Sequence, residues 1–114
     1  MINKRALICA CVLSSLAWGA QAQGAAYPNK PVRLVVGFAP GGAADYVARA
    51  MSDAMGKALG QSVIVENRAG AGSSIAAENV SKAAPDGYSV LLASPSSISV
   101  NPALNPKLNY TPKD

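Results

Sequence analysis

VRLVVGFAPGGAADYVARA, residues Val32 to Ala50, decides how this chain folds. Val32–Val36 is β-branched and nearly all apolar, which is the composition of a strand buried on both faces, as in a parallel sheet. Phe38-Ala39-Pro40-Gly41-Gly42 breaks the run, and apolar residues at helical spacing begin directly behind it. A buried-type strand that hands over to a helix through paired glycines is the opening half of a βαβ unit. The spacing predicts a helix over Ala43–Leu59, with Val47, Met51, Ala54, Met55 and Ala58 on one stripe and Arg49, Ser52, Asp53, Gly56 and Lys57 opposite. Gly60 is a fitting stop.

The pattern repeats downstream. Ser62–Glu66 is a second buried-type strand, followed by a glycine-rich loop from Arg68 to Ser74. Ser73 or Ser74 can cap a second helix, Ile75–Ala84, which Pro85 ends. Pro85-Asp86-Gly87 is a turn, and Tyr88–Ala93 a third strand. From Ser94 the chain is Ser- and Pro-rich and is expected to be a loop. The order β-α-β-α-β places the chain in the α/β class, with a parallel sheet, helices on its faces and right-handed crossovers. Ligands in such sheets bind beyond the carboxyl ends of the strands. Two loops leave those ends with suitable chemistry: Phe38–Ala43 and Ser94–Ser97.

Upstream of this pattern lies a different kind of segment. Asn3, Lys4 and Arg5 form a short positive start, Ala6 to Trp18 is apolar apart from Ser14 and Ser15, and Ala20-Gln21-Ala22 is small-x-small. Residues 1–22 are therefore expected to be a secretory signal peptide cleaved after Ala22, with the mature protein in the periplasm. The apolar run is too short for a membrane span, which needs about 20 residues, and no second run follows it. Cys9 and Cys11 both lie in the leader, and the 114 residues include no His. The mature part thus has no disulfide, thiol nucleophile or His base, and no zinc site of the usual donors. Lys4 and Arg5 supply half of the formal charge of +4, and the remaining basic residues are scattered singly. No basic stripe with interleaved aromatics appears, so nucleic acid is not an expected partner.

Gly41 and Gly42 sit where the first strand becomes the first helix. Backbone without side chains can approach a ligand, and the first N–H groups of a helix have no intrahelical partners. Together with the helix dipole they make an anion site that needs no Lys or Arg. The same residues equally suit a plain turn. Pro40 fixes that turn without spending a donor. Neither the Walker nor the dinucleotide pattern fits: Ala43-Ala44 follows the glycine pair, and only an adjacent pair is present. Asp45 belongs to the first helical turn, where a carboxylate complements the dipole, and Arg49 can pair with it at i, i+4. Ser94, Ser96 and Ser97 offer hydroxyls at the mouth of the third strand, or form an ordinary Ser/Pro loop. No Ser has a nucleophile-elbow context.

In order along the chain, Tyr27-Pro28-x-Lys30-Pro31, Phe38-x-Pro40-Gly41-Gly42-x-x-Asp45-x-x-Ala48-Arg49, Val65-Glu66-Asn67-Arg68-x-Gly70-Ala71-Gly72, Lys82-Ala83-x-Pro85-Asp86-Gly87-Tyr88, and Asn101-Pro102 with Lys107-Leu108-x-Tyr110 resemble the substrate-binding proteins of tripartite tricarboxylate transporters, the TctC-like or Bug-type family. The resemblance covers essentially the whole mature chain. It implies a two-lobed periplasmic binding protein that closes over small carboxylates and serves a membrane transporter or a sensor, with no enzymatic activity, cofactor or metal. It further implies that Phe38, Ala39, Gly41, Gly42 and Ala43 form one side of the ligand cleft, with Ser94, Ser96 and Ser97 beside them. Pro40, Asp45 and Arg49 are then structural.

Set against that family, residues 23–114 amount to the first part of the first lobe, about a third of the usual length, with the second lobe absent. Val32–Val36 or Val63–Val65 is then expected at an unpaired edge, making the segment marginally stable or aggregation-prone. Two alternatives stay open at this point: a fragment that binds nothing, and a small phosphate-binding enzyme using Gly41–Gly42.

Overall fold

The computed structural model describes residues 26–113, so the expected leader and its cleavage site lie outside the described residues. Strand β1 spans Val32–Val36, the range its composition predicts, and helix α1 spans Ala43–Leu59, the range of the helical spacing. β2 is Val63–Asn67, α2 is Ser74–Ser81 and β3 is Ser89–Leu92. The sheet is parallel, in the order β2-β1-β3. Among the described residues β1 is thus the centre and not an exposed edge, whereas β2 and β3 are the edge strands. Val32, Leu34, Val35 and Val36 are all buried. Each contributes about 1.5–3 kcal/mol by leaving water.

The two helices cover opposite faces. Leu34 and Val36 form the core with Ala48 of α1, and Val63, Val65 and Leu92 pack around them. On the other face Arg33 reaches Asn79 of α2 and pairs with Glu66, which Arg68 also holds. Those guanidiniums, Arg33 foremost, keep the Glu66 carboxyl below its ordinary range. Because β2 and β3 are edge strands, they are only half buried: Ile64 is exposed where both-face burial was expected, and Val90 of β3 is exposed as well.

The core-facing side of α1 differs from the predicted stripe. Val47, Met51, Ala54 and Ala58 are exposed, while Ala44, Ala48, Ser52, Met55 and Gly56 turn toward the sheet. The inner face is the one that lets the helix lie close: a Cβ on Gly56 would stand 3.3 Å from the Gln61 carbonyl. Apolar periodicity marks a stripe that wants a partner, and in this chain that stripe is a flank.

The second crossover also departs from expectation. A 3₁₀ turn, Ala71–Ser73, precedes α2, and Ser73 takes the N-cap position with φ 70° and no side-chain cap bond. α2 ends at Ser81, with Lys82 continuing the turn, short of the predicted Ala84. The segment expected to be a loop from Ser94 is helical: a π turn over Ser96–Val100 runs into α3, Asn101–Leu104, with Pro102 in its first turn. Burial of Tyr110 fixes it. The Tyr110 hydroxyl donates to the Ser97 carbonyl at 2.8 Å and lies 3.3 Å from Ser74 Oγ. At the amino end of the sheet, Tyr27 donates to the Gly87 carbonyl and Tyr88 stacks edge-on against Tyr27, with Lys30 over the Tyr88 ring.

Candidate functional site

Parallel strands bring three loops to one end of the sheet: 37–42 after β1, 68–73 after β2 and 93–95 after β3. The central strand delivers the first of these between the other two. Phe38, Ala39, Pro40, Gly41, Gly42 and Ala43 are exposed and, with Ala44, line an open recess of about 540 Å³. Gly41 has φ 82°, a left-handed conformation that glycine takes without strain. Gly42 is the N-cap of α1 in extended conformation, and no side chain caps the helix.

Asp45 organises this loop. It is buried, and its Oδ2 accepts from the Gly41 amide at 2.9 Å and from Arg49 Nε at 3.0 Å. Its Oδ1 accepts from Asn67 Nδ2 at 3.0 Å, and the same Asn67 amide donates to the Phe38 carbonyl at 3.1 Å. Arg49 first, then the Gly41 amide and Asn67, hold the Asp45 carboxyl down at about 2. The ion pair expected at i, i+4 is present. The Gly41 amide is engaged inside the protein, which leaves the amides that open α1, from Gly42 onward, along the recess. Asn67 is a residue of this clamp that pattern reading missed; its signal was an amide side chain at the last position of β2, level with Val36.

Ser94 and Ser97 are bound to each other. Ser97 is fully buried, its hydroxyl donates to the Ser94 carbonyl at 3.0 Å, and it accepts from the Ser94 amide at 3.1 Å. Ser97 thereby braces the loop from within, while Ser94 and Ser96 are half-exposed. The middle loop is pinned to α3: Asn101 Nδ2 donates to the Ala71 and Gly72 carbonyls at 3.1 and 2.9 Å and to Ser74 Oγ at 2.7 Å. Behind it, Ser73 presses on the end of β1, where a Cβ on Gly37 would fall 1.7 Å from Ser73 Oγ. Among the described residues there is no cluster of metal-ligating side chains, and no helix is long and apolar enough to cross a membrane.

A parallel sheet with helices on both faces and loops gathered beyond the carboxyl ends of its strands is the architecture of one lobe of a periplasmic solute-binding protein. Solved proteins of that class share it. MatC from Rhodopseudomonas palustris with bound malate is 42% identical and superposes with a TM-score of 0.72, over 77% of this chain and 30% of that one. An R. palustris protein with adipate is 37% identical, with a TM-score of 0.59, over 61% and 23%. Residues 47–114 match the tripartite tricarboxylate transporter family receptor, TctC, and the chain belongs to that family. A protein from the TAR-I ttuE-ttuC' intergenic region of Agrobacterium vitis is 45% identical over 97% of this chain. The chain spans about a third of the length of that relative, 32%.

Proposed function

We propose that this chain forms one wall of a periplasmic cleft for small di- and tricarboxylates, which are passed to a membrane transporter or sensor. The observation that carries this reading is the start of α1. It is uncapped by any side chain, opens on a recess at the carboxyl end of the central strand, and is held in place by the Asp45–Asn67 clamp. Amides at a helix N-terminus favour a carboxylate, and the Asp45 charge nearby is offset by Arg49. Gly42 and Ala43 would bind through their amides and Ser94 and Ser96 through their hydroxyls. Phe38 and Ala39 would border the ligand, and Gly41 and Ser97 would hold the two loops in shape. Malate and adipate in the two R. palustris proteins support the ligand class. No step of bond chemistry is assigned to the chain, and residues 1–22 would direct its export.

One wall binds weakly, because a ligand keeps most of its surface in water. Titration of the chain with malate, adipate and citrate is therefore expected to give no saturable heat in calorimetry at micromolar protein. Amide shifts in heteronuclear NMR at millimolar ligand are expected to concentrate at Gly42, Ala43, Ser94 and Ser96. Shifts spread evenly over the surface, or equal shifts with chloride, would refute the reading. A preference for inorganic phosphate over the carboxylates would favour a phosphate site instead.

A further inference from the structure

Residues 27–30 grip the turn that leads into β3. Tyr27 donates its hydroxyl to the Gly87 carbonyl at 2.7 Å, and its ring meets that of Tyr88 edge-on, with centroids 5.0 Å apart. The Asn29 amide donates to the Tyr88 hydroxyl at 2.8 Å, and that hydroxyl donates to Asn29 Oδ1 at 2.9 Å. Lys30 Nζ stands 4.2 Å from the centre of the Tyr88 ring and 3.3 Å from Asp86 Oδ2. Asp86 Oδ1 accepts from the Tyr88 amide at 3.0 Å. Both carboxylate oxygens of Asp86 are therefore held, although the side chain is 42% exposed. The Tyr88 amide, and after it Lys30, keep this carboxyl below its ordinary range, so it is ionised at neutral pH.

Gly87 has φ 78°, and a Cβ there would lie 2.8 Å from the Tyr27 hydroxyl, so the grip demands glycine. Glycine is also what makes Asp86 chemically labile. With no side chain in the way, the Gly87 amide nitrogen can close on the Asp86 side-chain carbonyl carbon to form a succinimide ring. Of the aspartates in the sequence, Asp86 alone precedes glycine.

We propose that Asp86–Gly87 is a site of self-modification to isoaspartate, silent while residues 27–30 hold the turn and active once that grip is released. The Gly87 nitrogen bonds to Asp86 Cγ, the Cγ–OH bond breaks, and the amide proton leaves with the hydroxyl as water. Water then adds back to the succinimide. Opening at Cγ restores aspartate, and opening at the Asp86 main-chain carbonyl gives isoaspartate, whose main chain runs through Cγ. No oxidant and no reactant besides water takes part. The grip opposes the first step twice. A carboxyl must be protonated for its hydroxyl to leave, and Lys30 and the Tyr88 amide favour the carboxylate. Closure also expels one of the two held oxygens and cancels the charge that Lys30 pairs, so it forfeits contacts that the folded turn makes. The product carries an extra main-chain carbon just ahead of Tyr88, whose carbonyl accepts the Arg33 amide where β1 and β3 begin to pair. Conversion thus leaves a covalent record that the turn was released.

The test ages the chain in neutral buffer and maps isoaspartate at position 86 by electron-transfer fragmentation, which separates it from aspartate. Chain unfolded in guanidinium sets the rate without the grip, and the folded chain is expected to convert at least about tenfold more slowly. Lys30→Met and Tyr27→Phe remove polar contacts and keep side-chain bulk. Each should quicken conversion about threefold or more in chains whose β1 amides still resist exchange. Tyr110→Phe, which loosens the opposite end of the sheet, should leave the rate unchanged. Asp86→Glu, which would have to close a larger and less favoured ring, should leave no product. Equal rates in folded and unfolded chain would overturn the proposal, as would indifference to both Lys30→Met and Tyr27→Phe, or an equal rise in Tyr110→Phe. So would unfolded chain that forms no isoaspartate at position 86.

Discussion

Asp45 shows how one residue serves both shape and chemistry. Its carboxylate closes the Pro40–Gly42 loop, pairs with Arg49 and grips Asn67 on the neighbouring strand. Its folded pKa is lowered, so its stabilisation is present above the unfolded pKa, near 3.8, and is lost as pH falls through about 2. Thermal melts across this acid window are expected to show the native chain losing stability. Asp45→Asn should melt lower at pH 7 and lose less between pH 4 and pH 2. An unaltered pH profile in the variant would mean that the clamp contributes nothing. Ser73 is the opposite kind of residue. It is 1% exposed, its hydroxyl has no hydrogen-bond partner among the described residues, and its φ of 70° is left-handed. A left-handed non-glycine residue costs roughly 1–2 kcal/mol. Contact with Gly37 and the turn into α2 hold it there.

At the scale of elements, the strands and α1 were legible because their signals are local. Val32–Val36 is buried-type by composition, and Gly41-Gly42 and Gly60 bracket seventeen helical residues. The stretch from Ser94 was not legible. Ser94-Pro95-Ser96-Ser97 carries loop composition, and its helical turns depend on contacts made from far along the chain. Tyr110 reaches back to Ser97 and Ser74, and Asn101 to the loop before α2. Tyr110→Phe would leave the buried Ser97 carbonyl without that donor, at a cost of about 1–3 kcal/mol. Hydrogen exchange over 94–104 is expected to quicken by the matching factor while β1 amides change less. Uniform acceleration throughout the chain would instead mark Tyr110 as a global support.

For the molecule as a whole, the limiting quantity is its core. Among the described residues the buried apolar side chains are a short set, mainly the valines and leucine of β1 with Ala48, Ala76, Ala77 and Tyr110, and β2 and β3 leave their outer edges open. At low concentration the monomer is expected to unfold broadly, with a calorimetric enthalpy well below the roughly 60 kcal/mol usual near 100 residues. It should associate as concentration rises. A sharp transition of full enthalpy from a proven monomer would show that so small a core suffices.

Residues adjacent in the chain carry the α/β class, the extent of β1 and α1, the Phe38–Ala43 loop at the carboxyl end of β1, and the family resemblance. Tertiary structure decided which side of α1 meets the sheet, that β1 is central, that Asn67 locks the Gly41 loop, and that Ser97 points inward. Those outcomes depend on how close small residues let two elements approach and on hydrogen bonds between residues far apart in sequence. A pattern of apolar spacing holds no record of either: it marked Val47 and Met51 as residues to be covered, and only the packed sheet showed that their cover is not among the elements described.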